Sequence, residues 1–331
     1  MDDAILDPFG NLLADLSSEP VIRNAEIAGD ASLLWSALEE SGFLDALVCE
    51  NKGGVGLAPA IVAPLAIKCG EHLVPAPVAE TMVARAVLAQ FDVEGDFRSP
   101  IILWPQTGSG ELRSQVNPVY CRDAMALTQT GSRLALVRVC AGERDGFNLL
   151  PARVDPDQQA LATFEADDID LMAWAGAIHA AYMAGAMNGI LAMSIEHVNS
   201  RAQFGRPLAK FQVIQHNLAI MAELVASANI AAHFGLSAAT LAINPWRVAV
   251  AKCHINESAG RTCTLAHAAH GAIGISQEHK LQLFTRRVKR WQMSFGSEGY
   301  WSQMVAAPWR VPNEGTSIDI IRGQTGEYQN G

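Results

Sequence analysis

Residues 201 to 212 run Arg201-Ala202-Gln203-Phe204-Gly205-Arg206-Pro207-Leu208-Ala209-Lys210-Phe211-Gln212. Gly205 and Pro207 must end any helix that reaches them, because glycine is costly there and proline lacks the amide donor. Upstream, an apolar, Ala-rich run with helical spacing extends from Leu171 to Ala202. Downstream a second helix is expected from Ala209 to Ala242, stopped by Asn244-Pro245. A third spans Trp246 to His270 and stops at Gly271. A fourth spans Gln277 to about Ala306, ahead of Pro308 and Pro312. At ~1.5 Å per residue, a thirty-residue helix is about 45 Å long. Four such helices, apolar on more than one face, predict a bundle that also buries surface against a second subunit.

The N-terminal texture is different. Ser32 can cap a helix through Trp35, Leu38 and Glu39 that stops at Gly42, and Lys52-Gly53-Gly54-Val55-Gly56 demands a turn. Two more helices are expected over Ala60 to Cys69 and Ala79 to Leu88. Pro100 to Trp104 and Arg133 to Val139 have the short apolar or alternating pattern of strands. The chain is therefore mainly α with a small β-domain. The expected domains are an N-terminal helical domain (1–96), a β-domain (97–168), a four-helix bundle (169–310) and a loose tail (311–331).

Half of the 331 residues are apolar and 18 % are charged, which excludes disorder for most of the length. The net charge of −10 argues against nucleic-acid and anionic-membrane partners. The basic run Thr285-Arg286-Arg287-Val288-Lys289-Arg290 suits a solvated helix face or a subunit contact. Six scattered cysteines form no CxxC and fit free buried thiols in a reducing compartment. Polar residues recur too often from Leu171 to Ala192 for a membrane span, and the start of the chain has no secretory pattern, so a soluble, cytoplasmic protein is expected. No Glu is followed three residues later by His, which weakens a di-iron bundle. His267 and His270 lie one turn apart, but no Glu or Cys completes a set. They are read as core or capping residues, and no metal is expected. P-loop, G-x-S-x-G and Rossmann signatures are missing.

The Arg201-to-Gln212 stretch, with Leu218-Ala219-Ile220-Met221 after it, resembles the R-x-x-F-G-x-x-[LI]-x-x-x-Q…L-A-x-M pattern of acyl-CoA dehydrogenases. His270-Gly271-Ala272-Ile273-Gly274-Ile275 resembles that family's H-G-G-x-G-[FY] turn. Leu38 to Phe43, Gly53 to Gly56, Gly70 and Pro75-x-Pro77 resemble its N-terminal domain. The resemblance covers residues 30 to 305 and is weakest in the β-domain. It implies an acyl-CoA dehydrogenase fold, and an enzyme that desaturates an acyl-CoA thioester between Cα and Cβ. A carboxylate takes the α-proton, hydride passes to FAD, and reduced flavin hands its electrons to a separate acceptor. By the same resemblance Arg201 holds the FAD pyrophosphate, largely for a neighbouring subunit, with Gln203, Phe204 and Gln212 beside it. Gly271 and Gly274 let the backbone approach the adenosine end.

The catalytic base cannot be assigned. Where the family has its Glu in the last helix, this chain reads Ser294-Phe295-Gly296-Ser297. The alternative position in the first bundle helix falls at Trp174-Ala175-Gly176. Glu298 is the one fallback acid. The flavin loop of the β-domain is missing, with Thr107-Gly108-Ser109-Gly110 at best a remnant, and Ala268 replaces an expected Gln. These departures resemble the smaller, non-catalytic subunit of bacterial heteromeric dehydrogenases of steroid side-chain type. The implied assembly is an α2β2 heterotetramer with a second acyl-CoA dehydrogenase subunit. The alternatives are a self-sufficient homo-oligomer with a relocated base, or a non-enzymatic helical scaffold.

Overall fold

The computed structural model describes residues 3–105, 124–141, 152–153, 159–310 and 315–325. The chain opens with α1 (Asp3–Leu16), α2 (Glu19–Ala28), α3 (Ser32–Glu40), α4 (Val62–Glu71) and α5 (Val78–Gln90). Ser32 is the first residue of α3 rather than its cap. The Asp30 carboxylate, a stronger acceptor, takes both the Ser32 amide (2.9 Å) and its hydroxyl (2.5 Å). The exit from α3 does lie at Gly42, with φ +75°.

Next come β1 (Ile101–Pro105), β2 (Met125–Thr130), β3 (Arg133–Arg138), β4 (Cys140–Ala141), β5 (Ala152–Arg153) and β6 (Ala162–Glu165). The main sheet has the order β1-β2-β3-β6, parallel between β1 and β2 and antiparallel elsewhere. Both expected strands are present. The flavin-loop remnant at residues 107–110 lies outside the described residues.

The bundle comprises α6 (Leu171–Ser200), the small hairpin β7 (Ala202–Gln203) and β8 (Arg206–Pro207), α7 (Gln212–Gly235), α8 (Pro245–His270), α9 (Leu281–Met293) and α10 (Glu298–Ala306). The Asp170 carboxylate caps α6 by accepting from the Ala173 amide at 2.9 Å. Asn244 caps α8 through the amides of Trp246 and Arg247. Three expectations need correction. The second long helix ends at Gly235, not Ala242, because the chain turns to meet the N-terminal domain, where the Ala60 amide donates to the Ala238 carbonyl at 3.1 Å. The fourth breaks at Ser294–Ser297, where Phe295 (φ +52°) and Gly296 (φ +93°) adopt left-handed backbone. The tail is not loose throughout, since Ser317–Thr325 forms α11, whose Gln324 and Thr325 carbonyls accept from Asn244 and Arg247.

The basic run on α9 is also corrected. Arg287 and Arg290 are buried, and only Lys289 of the four cations is exposed. Glu26 of α2, itself buried, accepts from Arg286 at 2.6 Å and Arg287 at 3.3 Å. Arg287 also reaches the Leu73 and Val74 carbonyls. A buried acid and two orphan carbonyls thus pull the run inward. The described cysteines 49, 69, 253 and 263 are free, with Cys69 and Cys263 buried and Cys49 exposed.

Among the described helices, α6 and α7 are long and apolar enough in composition to cross a membrane. Most of the apolar window of α6 is buried inside the fold, while α7 stays largely uncovered. The α4–α6 contact is backbone on backbone. A Cβ on Gly70 would lie 2.1 Å from the Tyr182 carbonyl oxygen, and one on Gly185 would lie 1.9 Å from that of Ile67. Gly185→Ala is expected to destabilise the chain by about 3 kcal/mol, the upper range for overpacking where the neighbour is backbone. Chemical denaturation monitored by circular dichroism measures it.

Candidate functional site

Two regions follow from the sequence, one at the α6–α7 hairpin and one where a base should stand. Arg201 closes α6, its amide donating to His197 at 2.9 Å, and its side chain is exposed. Phe204 and Gly205 form the two-residue turn of the β7–β8 hairpin, both with positive φ (54° and 79°). That geometry throws the Phe204 ring outward, 89 % exposed. The Arg206 guanidinium lies over the Phe211 ring, 4.1 Å from its centroid. Gln203 is exposed in β7, and Gln212 is exposed as the first residue of α7.

The glycine turn sits beside this hairpin. His197, one turn before Arg201, stacks on His270, the residue before Gly271, with ring centroids 4.4 Å apart. The structure thus brings the ends of α6 and α8 together. Gly271 has φ +65° and open space where a Cβ would be. Gly274 differs, because a Cβ there would meet His270 at 2.9 Å and Leu281 at 3.1 Å. Internal packing requires that glycine.

The two candidate base positions also converge, in the core. Phe295 is 5 % exposed, and its ring centroid is 4.6 Å from that of His179. His179 Nδ1 in turn bonds the Ala175 carbonyl at 2.8 Å. Trp301 completes the filling. Its indole donates to the Phe295 carbonyl (2.9 Å), and its ring lies where a Cβ on Gly176 would come within 2.6 Å. Glu298 is exposed in the first turn of α10.

Around this plug lies a polar cluster that sequence reasoning missed. The Tyr182 hydroxyl donates to Glu80 and accepts from the Ala79 amide at 3.2 Å. Lys252 is fully buried and donates to the Trp291 carbonyl at 2.8 Å. Burial lowers the Lys252 pKa to about 7. Burial, reinforced by the Lys252 charge, pushes His179 down to about 3. The 3.8 Å approach of His179 Nε2 to Glu80 is therefore a contact of a neutral ring, not an ion pair. The available signal was Glu80 inside an apolar helical run and His179 three residues before Tyr182 in the mostly apolar first half of α6. The adjoining cavity, lined by Cys69, Val74, Tyr182, Arg287 and Trp291 among others, has only about 10 Å³. A groove of about 760 Å³ lies elsewhere, in the N-terminal domain, between Lys52, Arg85 and Arg98 with five acids.

Residues 170–307 match the family model for the acyl-CoA dehydrogenase C-terminal domain. This bundle is an acyl-CoA dehydrogenase domain. Acyl-CoA dehydrogenase IpdE2 of Mycobacterium tuberculosis is 26 % identical over 280 residues, 81 % of this chain and 85 % of that protein. The whole chain has the acyl-CoA dehydrogenase fold. The steroid ACAD Tcur3481-Tcur3483 (G363A variant) superposes with a TM-score of 0.76 at 19 % identity, covering 98 % of this chain and 100 % of that one. The ChsE4-ChsE5 complex of Mycobacterium tuberculosis gives 0.75 at 17 % identity over 94 % and 98 % of the chains. PigA with FAD and proline gives 0.72 at 14 % over 93 % and 97 %.

The buried His179 has a consequence for stability against pH. Unfolded, His179 takes up a proton below about pH 6.5. Folded, it stays neutral down to about 3. The unfolded state therefore binds more protons across this window, and stability falls as pH falls, by up to about 1.4 kcal/mol per pH unit. His179→Leu should show a shallower loss than the parent in urea denaturation between pH 6.5 and 4. Identical slopes would contradict a neutral, buried His179.

Proposed function

We propose that this chain is the supporting subunit of a heteromeric, FAD-dependent acyl-CoA dehydrogenase. It lends Arg201 and its neighbours to a flavin held mainly by a second, catalytic subunit. The observation that carries this reading is the filled base position. At the position that the family pattern assigns to the base, Phe295 packs against His179 and is held by the Trp301 indole, and the neighbouring cavity beside Tyr182 and Trp291, about 10 Å³, holds no more than a water. Glu80 is no relocated base, since it is bonded to Tyr182 inside that sealed core.

The hairpin, by contrast, fits a dinucleotide phosphate. The Arg201 guanidinium is exposed, Gln203 and Gln212 offer amide donors beside it, and Gly271 leaves open space where a side chain would stand. A guanidinium stays charged and binds two phosphate oxygens at once. FAD, when bound, accepts the hydride from the acyl β-carbon. The carboxylate that takes the α-proton and the donors to the thioester oxygen belong to the partner in this reading. Support for a partner comes from α7, whose Val213 and Ile230 are 65 % and 72 % exposed, with Phe204 beyond them. The paired names of the two structural neighbours support a two-subunit arrangement. In this reading the assembly is an α2β2 heterotetramer in the cytoplasm, and the steroid ACAD among the neighbours favours a bulky, steroid-type acyl-CoA as substrate.

Co-expressed with its partner, Arg201→Ala should leave the complex assembled while weakening flavin binding about ten- to a hundred-fold, the effect of losing a charged hydrogen bond of roughly 1.5–3 kcal/mol. Flavin absorbance per complex after gel filtration measures it. A complex that falls apart yet keeps its flavin would assign Arg201 to assembly instead. In the isolated chain, Phe295→Glu should yield no acyl-CoA oxidation with an artificial acceptor, because a base alone has no flavin to work against. It should also lower the melting temperature, since a buried unpaired carboxylate costs several kcal/mol. Activity in that variant would show that only the base had been lost.

A further inference from the structure

Three histidines meet at the end of the bundle, where α6, α8 and the lead-in to α9 converge, and the proposed function uses none of them. His197 lies in the last turn of α6, His270 is the last residue of α8, and His279 precedes α9. One ring nitrogen from each lies within 4.8 Å of the other two. The His279 ring stands edge-on to His270 and His197, at centroid distances of 4.9 and 6.4 Å. His270 is 6 % exposed. Its Nδ1–H donates to the Ala266 carbonyl at 2.8 Å, which fixes the tautomer and leaves the lone pair on Nε2. That Nε2 is buried with no hydrogen-bond partner among the described residues. An imidazole held at one nitrogen by a backbone carbonyl, with the other nitrogen bare, is how a metal-ligating histidine is oriented.

We infer that His197, His270 and His279 form a binding site for one divalent cation of the zinc type, with a fourth position open to water. Three imidazole nitrogens select such an ion over calcium or magnesium, which prefer oxygen. Bonds of ~2.0–2.1 Å in a tetrahedral arrangement put ligand nitrogens about 3.4 Å apart, so the cluster must contract by at most ~1.4 Å. His197 and His279 are only partly buried, and ring rotation supplies that movement. His279 then gives up the bond it accepts from the Leu281 amide at 3.1 Å. Burial lowers the pKa of all three, and repulsion among them adds to it at His197 and His279. Of the charges nearby, Arg23 is paired with Glu19 at 2.7 Å, and Arg201 and Lys280 are the remaining cations. The ion would tie the segment leading to Arg201 to the segment leading to Gly271. The site itself stands on geometry and does not depend on flavin binding.

The test uses the full chain, stripped with a chelator and titrated with zinc chloride by calorimetry, with cobalt(II) as a spectroscopic substitute. One zinc per chain is expected, with a rise in melting temperature at saturation and the intense visible bands of four-coordinate cobalt. His197→Gln and His279→Gln, both at partly exposed positions that tolerate the change, should each weaken binding about ten-fold or more. His254→Gln, an exposed histidine elsewhere on α8, should leave binding unchanged. Absence of saturable binding would overturn the site. So would zinc binding that survives both ligand substitutions, or cobalt that shows only the weak bands of six-coordinate ions.

Discussion

The backbone crossing of α4 and α6 is the contact on which the rest of the molecule is hung. Gly70 and Gly185 let two helices approach until a carbonyl lies where a methyl would be. That proximity puts Tyr182 of α6 beside Glu80 and Ala79 at the start of α5, and locks the N-terminal helices against the bundle. It also makes α6 a central element, mostly buried along its apolar length, rather than one wall of a simple four-helix bundle. Small residues serve here as they do wherever helices must touch closely, because dispersion contacts strengthen steeply as the gap closes.

Around that crossing the core is filled rather than hollow. The left-handed backbone at Phe295 and Gly296 breaks the last long helix and swings Trp301 back against Gly176. The cost is backbone strain at a non-glycine residue, and the return is a fully buried indole whose N–H is satisfied. Buried polar groups at His179, Tyr182, Glu80 and Lys252 survive because most of their atoms find partners, and because burial keeps His179 neutral. Such a core is suited to holding shape, and the cavity beside Tyr182 and Trp291 within the described residues is only about 10 Å³.

The opposite end of α6 behaves differently. There the hairpin presents Arg201, Gln203 and Phe204 outward, α7 leaves apolar side chains uncovered, and three histidines converge. One helix thus joins a filled centre to an outward-facing end, where the proposed flavin contacts and the histidine cluster lie.

Sequence alone determined the layout: helical N-terminal segment, small sheet, helical bundle, and the end of the first long helix before Gly205 and Pro207. These depend on local periodicity and on glycine and proline, whose effects reach only a few residues. It also singled out Arg201 and Phe295 as positions to examine, because those are matters of residue type at a spacing. Only the tertiary structure decided that Arg286, Arg287 and Arg290 turn inward. The counter-ion of Arg286 and Arg287, Glu26, is some 260 positions away in the chain. The same holds for the Glu80–Tyr182 bond and for the meeting of His197, His270 and His279. Each joins residues far apart in sequence, and no local pattern encodes a contact that exists only once the helices have packed.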